Sequence, residues 1–295
     1  MKIDGMTTTY GIIGWPVKHS LSPLFQSRFL DQHSINAVYL PFAVPPELLS
    51  QAVEGLWALG VQGFNVTVPH KERVFQMVEA DADACRIGAV NTVRRGEYGW
   101  QATNTDWRGF KAVIEGLGID IEGEQILMFG AGGTSRAVLH ALNELNPGRV
   151  NICNRNPDRQ VALIAAAKES YPNLNCEPLD WQQDTVTVAC RSSVLLINTT
   201  SIGLQQGQDF PFMLSGQGVA IDAVYRPDGK TAFSVAAHEA GRLCVDGLPM
   251  LIAQGAAAFA WWHGCDSPDC NQTLTQMQTS LGREITGLPG WRRSG

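Results

Sequence analysis

Between Gly63 and Val68 apolar and polar positions alternate: Phe64, Val66 and Val68 on one side, Asn65 and Thr67 on the other. That period of two predicts a strand with one buried face. Pro69 cannot donate to a ladder, so the strand must stop there and the chain must turn. Asn65, Thr67 and Lys71 are thereby delivered to one strand end, where α/β proteins tend to bind ligands. The same reading predicts a strand over Thr8–Gly14, another over Ala37–Ala43, and a helix over Pro46–Leu59 with Leu48, Leu49, Val53, Leu56 and Trp57 on its apolar face. A helix is expected near Glu72–Glu79, then a strand over Ile87–Val93 with Asn91 among apolar neighbours, where it must find hydrogen-bond partners, structural or in a ligand.

Between the first two strands lies Trp15-Pro16-Val17-Lys18-His19-Ser20-Leu21-Ser22-Pro23. Ser22 before Pro23 reads as a helix N-cap with proline at the first helical position. Ser20 and Ser22 also offer two hydroxyls to a carboxylate at a positive helix end. Asn104-Thr105-Asp106 opens a helix through Phe110, Val113, Ile114 and Leu117. Asp106 at that start either complements the macrodipole or pairs with Lys71.

The second half changes character. Gln125–Phe129 is a short apolar strand running into Gly130-Ala131-Gly132-Gly133-Thr134-Ser135-Arg136 and then an apolar-striped helix. Strand, glycine turn and helix together make a dinucleotide-binding turn, with Ser135 standing where the usual pattern has its third glycine. The next strand, Arg149–Cys153, ends in Asn154-Arg155 rather than in an acid, and Arg159 lies four residues on. An acid there would accept from a ribose 2′-hydroxyl, whereas arginines suit a 2′-phosphate, so NADP is favoured over NAD. Asp158 in the same stretch weakens that exclusivity. Val194–Asn198 and Val219–Val224 read as further buried strands of this sheet, and Tyr225–Thr231 as a turn into a helix. Asp246-Gly247 leads a strongly apolar helix that carries Gln254, which needs a polar partner.

With 295 residues the chain is long enough for two domains. A formal charge of −6 argues against nucleic acid or an anionic membrane as the main partner. No apolar run reaches the roughly 18 residues of a membrane helix, and the N-terminus lacks a signal-peptide core. Seven cysteines, an odd number without a CxxC pair, fit reduced thiols in a cytoplasm. Cys265 and Cys270 alone are a weak metal signal, and no metal site is expected.

Seven stretches, in this order, resemble the shikimate dehydrogenase family over nearly the whole chain: Gly14-x-Pro16-x-x-His19-Ser20-x-Ser22-Pro23, Asn65-Val66-Thr67-Val68-Pro69-x-Lys71, Gly88-Ala89-Val90-Asn91-Thr92, Asn104-Thr105-Asp106, Gly130-Ala131-Gly132-Gly133, Asn154-Arg155-x-x-x-Arg159 and Asp246-Gly247-x-x-Met250-Leu251-x-x-Gln254. The resemblance implies an α/β fold: an N-terminal substrate domain of residues 1–107 with 247–295, a Rossmann domain of residues 108–246, and a site in the cleft between them. It implies NADPH-dependent, reversible reduction of 3-dehydroshikimate to shikimate, a step toward chorismate and the aromatic amino acids. By the same resemblance, Lys71 and Asp106 match the catalytic pair, and Ser20 and Ser22 would hold the substrate carboxylate. Thr67, Asn91, Tyr225 and Gln254 would contact ring hydroxyls or the reacting end. Gly130, Ala131, Gly132, Gly133, Thr134, Asn154, Arg155, Arg159, Ala223 and Gly247 would line the NADP site. The implied partners are small molecules, with neither nucleic acid nor membrane, and a homodimer is left open.

Elementary chemistry agrees with this assignment. Hydride transfer to a ketone leaves an alkoxide that needs a proton donor or cation beside it, and Lys71 supplies both. Two departures from the family pattern stand out: His70 where many members have phenylalanine, and Ala223-Val224 before Tyr225 where some carry bulkier residues. The competing readings are a quinate/shikimate dehydrogenase that also uses NAD, and a non-catalytic relative that senses shikimate or quinate and regulates transcription. The second would need a nucleic-acid-binding element, and no basic helix-turn-helix candidate is found.

Overall fold

Thr8–Gly14 (β1), buried along its second half, and Ala37–Ala43 (β2), with Ser22–Gln32 (α1) between them, build the first crossover, and β1 pairs with β2 in parallel. The computed structural model describes residues 3–205 and 207–283. A 3₁₀ turn at Pro46–Leu48 leads into Leu49–Ala58 (α2), and Gly63–Val66 (β3) returns parallel to β1 on its other side. The next elements are short: Lys71–Phe75 (α3), Glu79–Ala80 (β4), Ala82–Ile87 (α4), Thr92–Arg95 (β5) and Trp100–Thr103 (β6). They complete a mixed six-stranded sheet in the order β2-β1-β3-β5-β6-β4, with β5 antiparallel to both β3 and β6. Its core includes Ile13, Leu49, Phe64, Val66, Val74, Val90 and Val93.

The structure departs from several expectations. The strand expected over Gly63–Val68 with one buried face stops at Val66 with all four residues buried and leaves Val68 exposed. The expected helix over Pro46–Leu59 begins as a 3₁₀ turn with Leu48 exposed. Ile87–Val93 is not one strand: Asp81 caps α4 by accepting from the Ala84 N–H at 2.9 Å, and Gly88 ends it in the left-handed region at φ 71°. The strand begins only at Thr92, which leaves Asn91 at its entry. The helix after Pro69 starts at Lys71 and stops at Phe75, well short of Glu79. Ser22 is the first residue of α1 rather than its cap. The cap position is Leu21, and the Ser20 hydroxyl accepts from the Ser22 N–H at 3.2 Å.

Asp106–Leu117 (α5) precedes a second six-stranded sheet with its intervening helices, in chain order Gln125–Phe129 (β7), Gly133–Leu145 (α6), Arg149–Cys153 (β8), Pro157–Ser170 (α7), Cys176–Leu179 (β9), Gln183–Ser192 (α8), Leu195–Asn198 (β10), Val219–Asp222 (β11), Ala232–Glu239 (α9) and Leu243–Val245 (β12). Every pairing is parallel, and the order is β12-β11-β10-β7-β8-β9. Strand order thus reverses between β7 and β10, the topological switch point of a dinucleotide-binding sheet. Such strands are buried on both faces, which is why they read as continuous apolar runs. Leu248–His263 (α10) and Cys270–Leu281 (α11) follow. The chain forms two compact units: Met1–Gly109 with Ile252–Thr273, and Phe110–Leu251 with Leu274–Gly295.

Candidate active site

In the first unit, the turn after β3 and the start of α5 bring two charges together from 35 positions apart. Lys71 is the first residue of α3 and Asp106 the first of α5, and Lys71 Nζ lies 2.5 Å from Asp106 Oδ2. The two side chains are 12% and 7% exposed, so the pair is shielded from water without being sealed from it. Asn104 Oδ1 accepts from the Asp106 N–H at 3.0 Å and so fixes the first turn of α5, while Asn104 Nδ2 donates to the Ala89 carbonyl at 2.8 Å. Both readings of Asp106 hold at once, because the residue sits at a helix N-terminus and pairs with Lys71.

The other carboxylate oxygen belongs to Asn91, whose Nδ2 donates to Asp106 Oδ1 at 2.7 Å. The same nitrogen lies 3.0 Å from Gln254 Oε1 and 3.0 Å from Thr105 Oγ1, and Asn91 Oδ1 accepts the Thr105 N–H at 2.7 Å. Behind Asn91, Thr92 donates its hydroxyl to Asn91 Oδ1, Asn65 Nδ2 donates to Thr92 Oγ1 at 3.1 Å, and Tyr39 donates to Asn65 Oδ1 at 2.7 Å. A buried amide must find partners, and here the partners also orient the charged pair. Lys71, Asp106, Asn91 and Gln254 are therefore one hydrogen-bonded group.

Ser20 and Ser22 sit at the N-terminus of α1, joined through the Ser22 N–H; Ser22 is buried and Ser20 half-buried. Thr67 follows the end of β3. Its N–H donates to the Ile13 carbonyl at 2.9 Å, and its methyl lies over Gly14, where a Cβ would collide with it. The bonds described for Ser20, Ser22 and Thr67 stay within their own turns or reach β1.

In the second unit the glycine turn occupies the switch point. Gly130 directly follows β7 at φ +113°, and a Cβ there would stand 2.5 Å from Thr199 Oγ1 beside the end of β10. Gly132 is the N-cap of α6 and has open space where its side chain would be. Ser135 replaces the third glycine without steric conflict: its Oγ accepts the Gly132 N–H at 3.0 Å and lies 2.7 Å from Thr199 Oγ1. The turn is thus a backbone cradle at a helix N-terminus, which fits a pyrophosphate. Arg155 is exposed just past β8, and Arg159 is exposed in the first turn of α7, which Asn156 caps. Gly247 and Ala223 meet: a Cβ on Gly247 would sit on the Ala223 carbonyl oxygen, and the Gly247 N–H donates to Val224. Tyr225, half-buried, leaves this contact toward α9.

Sequence reasoning passed over several polar residues. Tyr39, Thr92 and Thr105 belong to the Lys71 group, and Thr199 belongs to the glycine turn. Asp222 is fully buried at the end of β11 and accepts from Asn198 Nδ2 at 2.8 Å, from the Val224 N–H at 2.9 Å and from the Thr231 hydroxyl at 2.5 Å. Burial pushes its carboxyl up to about 7, against those three donors, with Asp246 adding a smaller like-charge push. A buried acid in an apolar strand was the available signal, since such a group demands partners.

A parallel sheet with a glycine cradle at its switch point, in one chain with a buried lysine–carboxylate pair, defines the class: an oxidoreductase that uses a nicotinamide dinucleotide on a small polar substrate. Residues 12–93 match the shikimate dehydrogenase substrate binding domain, and residues 247–269 the shikimate 5′-dehydrogenase C-terminal domain. The shikimate dehydrogenase (NADP(+)) of Geobacter metallireducens is 39% identical over 91% of this chain and 95% of its own. The crystal structure of shikimate dehydrogenase from Aquifex aeolicus superposes with a TM-score of 0.81 at 36% identity, covering 96% of this chain and 100% of that one. The Thermus thermophilus shikimate 5-dehydrogenase in complex with NADP(H) and shikimate gives 0.78 at 33% identity, covering 93% and 100%. The chain belongs to the shikimate dehydrogenase family.

Proposed function

We propose that this chain catalyses the reversible NADPH-dependent reduction of 3-dehydroshikimate to shikimate. The observation that carries the reading is the Lys71–Asp106 ion pair, held by Asn91, in a family whose named members are shikimate dehydrogenases. NADPH, when bound, supplies the hydride. Gly130, Ala131, Gly132, Gly133 and Thr134 hold its pyrophosphate at the start of α6, Asn154, Arg155 and Arg159 take its 2′-phosphate, and Ala223 and Gly247 take its nicotinamide end. Ser20 and Ser22 bind the substrate carboxylate, while Thr67, Gln254 and Tyr225 contact the ring hydroxyls or the reacting end.

Lys71 then stands where negative charge grows on the ketone oxygen. Its ammonium stabilises that charge and gives the proton that makes the alcohol, a preorganised interaction that strengthens in the transition state. Asp106 holds Lys71 in place and accepts a substrate hydroxyl, and Asn91 keeps the carboxylate from turning away. The seven thiols, all unpaired, fit a cytoplasmic setting. The described residues include no helix long and apolar enough to cross a membrane.

The test is an absorbance assay at the NAD(P)H band crossing shikimate and quinate with NADP and NAD. Shikimate with NADP is expected to dominate. Comparable turnover of quinate with NAD would replace this reading with the broader quinate/shikimate one, and no turnover of any pair would end it.

A further inference from the structure

His70, the residue before Lys71, is wholly buried, and its imidazole has a definite state. Nε2 lies 2.7 Å from the Val44 carbonyl oxygen. A carbonyl only accepts, so Nε2 carries the proton and Nδ1 presents a lone pair. Burial holds the imidazole below the usual histidine range, against the raising effect of the Val44 bond and with a smaller push from Arg73, so the ring stays neutral. Among the described residues Nδ1 has no hydrogen-bond partner, and a buried nitrogen left unpaired destabilises the fold. A phenyl ring would fill the space without that penalty. What histidine adds is the single donation to Val44.

A second donor, from the first turn of α3, reaches the same loop. Arg73 Nη1 donates to the Pro46 carbonyl at 2.6 Å, so Val44 and Pro46, on either side of Pro45, are gripped from the N-cap and the first turn of α3. The main chain completes the hold: the His70 N–H donates to Thr67, and the Val90 N–H donates to the Lys71 carbonyl at 3.1 Å. Lys71 lies between the two gripping side chains.

We infer that His70 and Arg73 form a clamp on the Val44–Pro46 loop that positions Lys71 against Asp106. They are positioning residues, and the inference rests on Lys71 being the reacting group. A reacting atom displaced by about 1 Å can lose rate on the order of a hundredfold, so a loosened clamp acts on kcat before it acts on substrate binding.

Four variants test it, each read by kcat, KM for shikimate and thermal melting: His70→Phe, His70→Gln, Arg73→Met and Lys71→Ala. His70→Phe keeps the aromatic volume and removes the donor, so kcat is expected to fall about tenfold with KM within about twofold. Glutamine places an amide N–H about where Nε2 stands, and His70→Gln is expected to recover most of that loss. Arg73→Met should lower kcat about threefold, again with little change in KM. A folded His70→Phe or Arg73→Met with wild-type kcat would overturn the clamp, as would a change confined to KM or a His70→Gln no better than His70→Phe. If His70→Phe does not fold, Arg73→Met and His70→Gln decide by the same criteria. Lys71→Ala separates the two claims: retained kcat there removes the catalytic reading itself, whereas lost kcat beside an unaffected clamp pair removes only the clamp.

Discussion

Two buried carboxylates, one in each unit, are built from opposite materials. Asp106 has a cation on one oxygen and an amide on the other, and both partners come from distant strands and turns. Asp222 has three neutral donors and, among the described residues, no paired cation, with Asp246 as a nearby like charge. Hydrogen bonds alone do not offset the desolvation of a buried negative charge, so its carboxyl rises to about 7. Asp222 joins the segments after β10 and β11 to the cap of α9 and so fixes the frame around Ala223. Asp106 instead holds Lys71 Nζ through one carboxylate oxygen. The partner set thus separates a carboxylate held against a cation from one that joins loops.

The largest expected effect comes from breaking the charged pair. Lys71→Ala should lower kcat by about 10²-fold or more with a milder change in KM, because the interaction strengthens as charge develops. Stopped-flow or steady-state NADPH oxidation reads it, and near wild-type kcat would place the chemistry elsewhere. The paired change Ser20→Ala and Ser22→Ala asks whether the first unit also binds the substrate carboxylate. Each lost bond to a charged group is worth roughly 1.5–3 kcal/mol, so KM for shikimate should rise by more than about tenfold while NADP affinity holds. An unchanged KM would contradict the assignment.

A change in the second unit should reverse that pattern. Arg155→Ala removes a charge-assisted contact worth roughly 1.5–3 kcal/mol, an NADP efficiency loss on the order of 10- to 100-fold, with NAD turnover flat or slightly higher. Equal losses with both cofactors would make Arg155 structural.

The smallest effect is a slope. The folded pKa of Asp222 lies above its unfolded value of 3.8, so the native state holds the proton more tightly. The stability this confers is complete below about pH 4 and is lost as pH rises through about 7. Melting temperatures of wild type and Asp222→Asn, measured from pH 5 to pH 8, should therefore converge or cross in that direction. A constant difference would show that Asp222 does not titrate there.

Much of the fold was legible because its signals are local. The period-2 run of β3, the apolar run of β7 and the glycine turn after it each specify their conformation within a few residues. The failures were local conflicts. Ile87-Gly88-Ala89-Val90-Asn91-Thr92-Val93 alternates like a strand, yet the Asp81 cap and the left-handed Gly88 divide it into a helix end and a strand start. The strand at Trp100–Thr103 and the half-polar β9 carried patterns too short or too mixed to read. For the site, residue types were legible and partnerships were not.

Which groups are available follows from local sequence: a lysine after a proline-ended strand, an acid at a helix start, a dinucleotide turn, and arginines where an acid would select NAD. Backbone propensity and side-chain chemistry decide those features over a few residues. That Asp106 meets Lys71, and that Asn91 meets both Asp106 and, 163 positions away, Gln254, follows from the packing of the fold. The same packing places Ser135 against Thr199 and gives His70 its donation to Val44. Those contacts depend on strand order and on which loops close beside one another, and no periodicity along the chain encodes that order.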